Sequence, residues 1–267
     1  MAKAEYSIGK VAKLLGLSIE GIRSYERAGI ISSRRTDENS YRKYSYLDIT
    51  SLVRARMYRA FGFSLSETEL LTNQHEIDDI LTALHCREEK IRMEIVLQKA
   101  KLSLLEELTE KIEEIENMTG DIELCKSPSS YRMEFSKNGE IDYTEETVAN
   151  FRRFMDCLPF SRISSRYSEG NVYGGLAIDA DFASLCGLET SGGKIQYLPS
   201  QLCLKLVISE EENGFADSSR LEPLYEFADY HRFHLSKDLI GYTILGISKS
   251  KAYRRYREIY APVLPEK

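Results

Sequence analysis

The first 73 residues carry twelve lysines and arginines against eight acids, while the rest of this 267-residue chain carries 24 basic and 34 acidic residues. The front is therefore net +4 and the remainder −10, within an overall charge of −6. Asymmetry of this sign suits a segment that binds a polyanion, joined to one that does not. The basic residues come in three successive groups interleaved with tyrosine: Arg23 with Tyr25, then Arg34, Arg35, Tyr41, Arg42 and Lys43, then Arg54, Arg56 and Arg59. Guanidinium, ammonium and phenol groups hold phosphate oxygens, and three such groups in a row exceed ordinary surface decoration. Glu20, Gly21 and Ser24 stand among them as candidates to face base edges.

The other reactive side chains form no site of their own. Cys86, Cys125, Cys157, Cys186 and Cys203 are scattered without a C-x-x-C pair, and a soft-metal site needs at least two thiolates where Cys125 stands alone. Cys86 would join it only across a dimer. His231 and His234 share a helical face but lack a third ligand, which favours packing over metal binding. No G-x-S-x-G, P-loop, H-E-x-x-H or dinucleotide fingerprint occurs, so neither enzyme activity nor a cofactor or metal is expected. Unpaired thiols, no secretory signal and no apolar run of about 18 residues point to a cytoplasmic chain with no membrane role.

These residues need elements to position them. Ser7 precedes an apolar set at helical spacing (Ile8, Val11, Ala12, Leu15) that Gly16 closes, and Ser18 opens a second helix that Gly29 stops: helix, tight turn, helix. A turn-rich stretch around Asp37, Glu38, Asn39 and Ser40 comes next. Ser45-x-x-Asp48 then reads as a capping box for a helix to Phe61, and Ser64-x-x-Glu67 caps a fourth. From Ile77 to Met118 there is neither Pro nor Gly. Ile77, Leu81, Leu84, Ile91, Ile95, Leu102, Leu105 and Ile112 recur at three- and four-residue steps along one long helix, with Glu88, Gln98 and Thr109 interrupting the seam. A second stripe, Leu97, Leu104, Leu108 and Ile115, predicts that its far end also packs on the C-terminal domain.

The segments Y-S-I-G-K-V-A-K-L-L-G-L-S, I-R-S-Y-E-R-A-G-I-I, S-Y-R-K-Y and F-G-F-S-L-S-E resemble, in order and spacing, the successive signatures of MerR-family regulators. The likeness covers about the first 73 residues, and the long helix resembles the family's antiparallel dimerisation helix. It implies a winged helix-turn-helix over 1–75, a dimerisation helix forming an antiparallel coiled coil over 76–119, and an α+β effector domain over 120–267, in an α+β multidomain chain. It implies phosphate contacts at Arg23, Tyr25, Tyr41, Arg42 and Arg59, to which the basic pattern adds Arg34, Lys43 and Arg54. Ser24 and Ser40 depart from the family, which has an aromatic and a glycine there.

Beyond Gly120 the pattern alternates. Strands are expected at Tyr131–Phe135, Val172–Ile178, Gln201–Ile208, Tyr242–Ile247 and Tyr256–Val263, and helices at Glu145–Leu158 and Arg220–His234. V-Y-G-G-L-A-I-D, L-P-S-Q-L-C-L-K-L and Y-R-E-I-Y-A-P-V resemble a GyrI-like effector domain of the family's multidrug-sensing branch. That resemblance implies an aromatic pocket for a small hydrophobic ligand, cations somewhat favoured, since ring faces and a buried acid both attract positive charge. Eleven of the seventeen tyrosines lie at or after Tyr131. The candidate effector residues are Tyr173, Glu189, Tyr197, Tyr242, Tyr256, Glu258 and Tyr260. Leu239 to Leu245 lacks the acid such a pocket would use, so either Glu258 or Glu189 replaces it or the ligand is not a cation. The expected whole is a homodimeric activator that binds double-stranded promoter DNA, works with RNA polymerase and distorts the promoter on binding its ligand. The alternatives are a GyrI-like hydrolase fused to a DNA-binding domain, and a repressor that needs no ligand.

Overall fold

A computed structural model describes residues 5–35, 42–73, 76–190, 193–211, 218–249 and 252–265. The chain divides into two compact units, Met1–Val96 and Leu97–Lys267.

In the first unit, β1 (Glu5–Ser7) leads into α1 (Ile8–Leu15) and α2 (Ile19–Arg27), followed by β2 (Arg34–Arg35), β3 (Arg42–Ser45), α3 (Tyr46–Ala60), α4 (Leu65–Asn73) and the start of α5 (Ile77–Glu113). The stop and start signals act as their chemistry predicts. Gly16 takes φ +62°, a left-handed conformation that costs a glycine little, and Ser18 Oγ accepts from Gly21 N at 2.9 Å to cap α2. Ser45 and Asp48 form both halves of the capping box, and Ser64 and Glu67 repeat it. Val11, Ile22, Ile30, Ile31, Tyr44, Leu52 and Ala55 form the core, so α1, α2, β3, α3 and the segment after α2 together hold the helix pair against the small antiparallel sheet β1-β3-β2. Strand β1 was not expected from the sequence; three residues are too few to show alternation. The turn at Asp37 to Ser40 lies outside the described residues.

Gly62 explains the F-G-F signature. It sits at φ +90°, and an added Cβ would lie 2.2 Å from Arg87 Nη2, whose Nε donates to the Phe61 carbonyl at 2.6 Å. The guanidinium tip can move, so backbone strain is the larger cost. Gly62→Ala should destabilise the unit by about 1–2 kcal/mol, read as a lower denaturant midpoint with an unchanged m-value. An unchanged midpoint would show that this turn tolerates a side chain.

The long helix is shorter than its pattern. It ends at Glu113, Glu114 leaves helical geometry at φ −100° and ψ 2°, and α6 (Ile115–Met118) completes the stretch with Ile115 buried. Unit division falls within α5, because Leu97, Ala100 and Leu104 pack on the core of the second unit, as the second apolar stripe predicts.

The second unit continues through β4 (Ile122–Lys126), β5 (Ser130–Lys137), β6 (Glu140–Ile141), α7 (Glu145–Asp156), β7 (Ser161–Ser168), β8 (Asn171–Asp179), α8 (Ala180–Cys186), β9 (Ile195–Leu198) and β10 (Leu202–Glu211). It closes with α9 (Glu222–Tyr230), β11 (His234–Leu235), β12 (Leu239–Lys249) and β13 (Ala252–Leu264). The strands form one antiparallel sheet in the order β4-β10-β13-β12-β7-β8-β5-β6, with β9 on β5 and β11 on β13. All five expected strands are present. β7 was missed because S-R-I-S-S-R-Y-S carries three of its four buried positions as serines, Ser161, Ser164 and Ser165, with Tyr167 the one aromatic among them.

Register separates the two faces of this sheet. Met133, Leu176 and Ile178 with α7 and α8, and Leu204, Leu206, Leu239 and Ile259 with α9, lie on one. Tyr242, Tyr260, Ala177 and Cys203 cluster on the other. Gly175 lies on that second face, where an added Cβ would meet the Met133 carbonyl at 2.2 Å and the Arg132 guanidinium at 3.0 Å. The second glycine of V-Y-G-G is thus required by the closeness of its neighbours.

Candidate nucleic-acid interface and effector cavity

On α2, Arg23 and Arg27 flank Glu20, which bonds Arg27 at 2.8 Å and lies 3.7 Å from Arg23. The hydrogen bond from Arg27 and its charge hold the Glu20 carboxyl below the usual carboxylate range. Arg23 is half exposed and its bond to Glu20 is long, so its guanidinium is available to a phosphate. Tyr25 is partly buried against the core, which orients its ring while leaving it at the surface. Ser24 Oγ donates back to the Gly21 carbonyl at 2.7 Å, an internal bond that competes with any base contact.

Arg34 is exposed on β2 and pairs in register with Lys43 on β3. Arg42 Nε meets Glu26 at 3.1 Å, and Ser33 Oγ donates to the same carboxylate. Glu26 therefore ties the end of α2 to the base of the strand pair. Sequence reasoning did not single it out, because a separation of sixteen residues leaves no local signal. Tyr41 lies outside the described residues.

The arginines of α3 serve partly as clips. Arg54 Nη2 donates to the Thr72 carbonyl at 3.2 Å, Arg56 to that of Leu15 and Arg59 to that of Phe63. Each guanidinium keeps further N–H groups, and Arg54 and Arg59 remain exposed. They hold α3 in place as well as presenting charge.

In the second unit a cavity of about 380 Å³ lies between the end of α5 and the sheet, walled by Leu104, Leu105, Leu108, Pro159, Tyr242, Thr243, Ile244 and the charged Lys101, Glu107, Lys111, Arg162 and Glu258. Three of the expected effector residues meet here. Tyr242 and Glu258 line it, and Tyr260 stacks edge-on to Tyr242 at 5.7 Å with its hydroxyl 3.5 Å from Glu258. Burial raises the pKa of both tyrosines, so both hydroxyls stay protonated. Glu258 is buried, as the proposed substitute acid must be, and Lys111 Nζ lies 3.1 Å from it and 2.8 Å from Glu107. Burial opposes the Lys111 charge, yet the two carboxylates outweigh it and raise its pKa. Arg162 lies over the Tyr242 ring at 4.2 Å and pairs with Asp179, whose pKa burial raises despite that partner.

The other candidates are elsewhere. Tyr173 sits at a separate open depression under Arg166, 4.0 Å from ring to guanidinium. Tyr197 is exposed against Tyr131, and Glu189 is exposed and pairs with Arg153 at 3.3 Å. Tyr256 shares the face of Glu258 and Tyr260 on β13 but does not line the cavity. Lys111, Arg162 and Lys101 were missed, since only the return of α5 and β7 to the same sheet brings them together.

Among the described residues no three histidine, cysteine or acidic side chains gather as a metal site. His231 packs among Phe227, Tyr230 and Phe233. Cys125 faces Cys203 across β4 and β10, and Cys157 neighbours Cys186, where burial and that second thiol push it up to about 11. No helix among the described residues is long and apolar enough to cross a membrane.

A capped helix pair with a tight turn, followed by a two-stranded wing and set on one core, defines a winged helix-turn-helix protein. The MerR family regulatory protein model matches residues 7–44. The regulator CueR of Vibrio cholerae serotype O1 is 32% identical over 106 residues, 39% of this chain and 76% of that one. CueR of Escherichia coli O6:H1 is 37% identical over 67 residues, 25% of this chain and 50% of its own length, so the chain spans about half of that relative. The chain belongs to the MerR family of regulatory proteins. It also aligns with the EcmrR–DNA complex in EcmrR-RPo at 16% identity and TM-score 0.39, over 97% of this chain and 99% of that one.

Proposed function

We propose that the protein is a ligand-responsive transcriptional regulator that binds double-stranded promoter DNA as a homodimer and acts with RNA polymerase. The observation that carries this reading is the pairing, in one chain of this family, of a winged helix-turn-helix presenting Arg23, Arg34 and Arg59 with a second unit holding an apolar-walled cavity. A small hydrophobic effector is the natural occupant, since cavities of this size and lining bind such molecules.

The dimer grips both half-sites through phosphates, and effector binding selects a state in which the promoter spacer is untwisted and bent. Smooth bending of a site this short costs about 1–6 kcal/mol, so the ligand must favour the distorted complex by a comparable margin. In vitro transcription from the promoter beside its own gene tests this. Effector should raise transcription strongly while changing DNA affinity little, and a spacer shortened by about two base pairs, enough to realign the elements, should fire without protein. A shortened promoter that still needs protein and effector would overturn the distortion mechanism.

A further inference from the structure

The charge of the effector follows from how the walls of the cavity are already matched, which rests on the reading of that cavity as the effector site. A lipophilic cation is recognised by an aromatic face and a buried carboxylate. The chain itself occupies both: the Arg162 guanidinium covers the Tyr242 ring at 4.2 Å, and the Lys111 ammonium lies 3.1 Å from Glu258 and 2.8 Å from Glu107. An anion fares no better, because Lys111 is held by those two carboxylates and Arg162 by Asp179. Lys101, Lys111 and Arg162 thus stand against Glu107, Glu258 and Asp179, three charges of each sign. Lys101 is partly exposed, and its long stem lets the ammonium stay in water.

The phenol groups are matched as well. The Tyr242 hydroxyl lies 3.0 Å from Ser130 Oγ, and the Tyr260 hydroxyl donates to Glu258 at 3.5 Å. What the walls leave to a ligand is the apolar surface of Leu104, Leu105, Leu108, Pro159 and Ile244, around a volume of about 380 Å³. An ion entering this space either gives up its water without meeting a free counter-charge or breaks one of the pairs and strands a buried charge, and both are heavy costs inside a protein. An uncharged molecule avoids both and keeps the full gain from burying its apolar surface.

We infer that the cavity selects a small, uncharged, lipophilic molecule and discriminates against ions of either sign. Lys111 and Arg162 are the selective elements, since each fills a position that the positive charge of a ligand would otherwise take, and each is neutralised in turn by an acid of the chain. This replaces the preference for cations that the tyrosines and acids of the sequence suggest.

Equilibrium dialysis of the full chain against tert-butylbenzene, phenyltrimethylammonium and benzenesulfonate tests it, since the three share a phenyl ring and carry a tetrahedral head that is neutral, positive or negative. The hydrocarbon should bind at least about tenfold tighter than either ion. Lys111→Met leaves Glu258 without its ammonium, and Arg162→Met uncovers the Tyr242 ring and releases Asp179. Each should move the ratio of ammonium to hydrocarbon affinity at least about tenfold toward the ammonium. The two variants act on different pairs, so if circular dichroism shows one of them unfolded the other decides. In the unaltered protein, an ion that equals or beats the hydrocarbon overturns the inference while leaving an effector cavity in place. A ratio unmoved in the folded variants overturns it too, because the selection would then arise elsewhere. Silence from all three compounds removes the cavity reading and the inference together.

Discussion

Leu102→Asp is expected to turn the protein into a monomer that still folds but loses at least about a hundredfold in affinity for its operator, the scale on which linked half-sites exceed single ones. Helix α5 runs for 37 residues, and none of its side chains is buried within the single chain. Ile77, Leu81, Ile95, Leu102 and Leu105 along its seam are all exposed, Leu102 by 56%. An apolar stripe of this length demands a partner, and in the proposed homodimer a second copy of the same helix would supply one by twofold symmetry. Burying a leucine contributes about 1.5–3 kcal/mol, and the mutant replaces that gain with a charge that must be desolvated in the seam. Because Leu102 touches little inside its own chain, the circular dichroism spectrum should not change. Sedimentation equilibrium decides the matter, and a Leu102→Asp protein that remained dimeric would remove this helix from the interface.

The double substitution Arg23→Ala with Arg42→Ala should weaken binding to every DNA sequence by about a hundredfold near physiological salt and reduce the slope of log affinity against log salt by about 2, one for each phosphate contact. The two sites differ in preparation. Arg23 has only a long contact to Glu20, whereas Arg42 is held at 3.1 Å by Glu26, which fixes its direction but neutralises part of its charge. Arg42→Ala should therefore cost less than Arg23→Ala, and Glu26→Gln should raise affinity modestly by freeing Arg42. Mobility-shift titrations over a range of salt read both quantities. Unchanged slopes would place the phosphate contacts on other residues, with the arginines that clip α3 as the next to test.

What the sequence determined on its own is whatever local chemistry encodes. Ser7, Ser18, Ser45 and Ser64 mark helix starts because each side chain caps a backbone N–H within the next three residues, and Gly16 marks a stop because its conformation disfavours a Cβ. The helix-turn-helix, the length of α5 to within five residues and all five expected strands were legible for the same reason, since periods of 3.6 and 2 are written in the chain. The tertiary structure alone decided the cavity. Arg162 came from a strand hidden by buried serines, Lys111 from a helix whose charged side looked solvated, and Asp179 from the end of another strand. Sheet register brought them to Tyr242 and Glu258 from up to 147 residues away. Charge pairing between distant elements leaves no periodic trace, so the tyrosines were visible as candidates while the cations already resting on them were not. The same closure makes α5 one wall of the cavity, so a fragment beginning at Asp121 would lack Lys101, Leu104 and Lys111, because the compact unit that holds the cavity begins at Leu97.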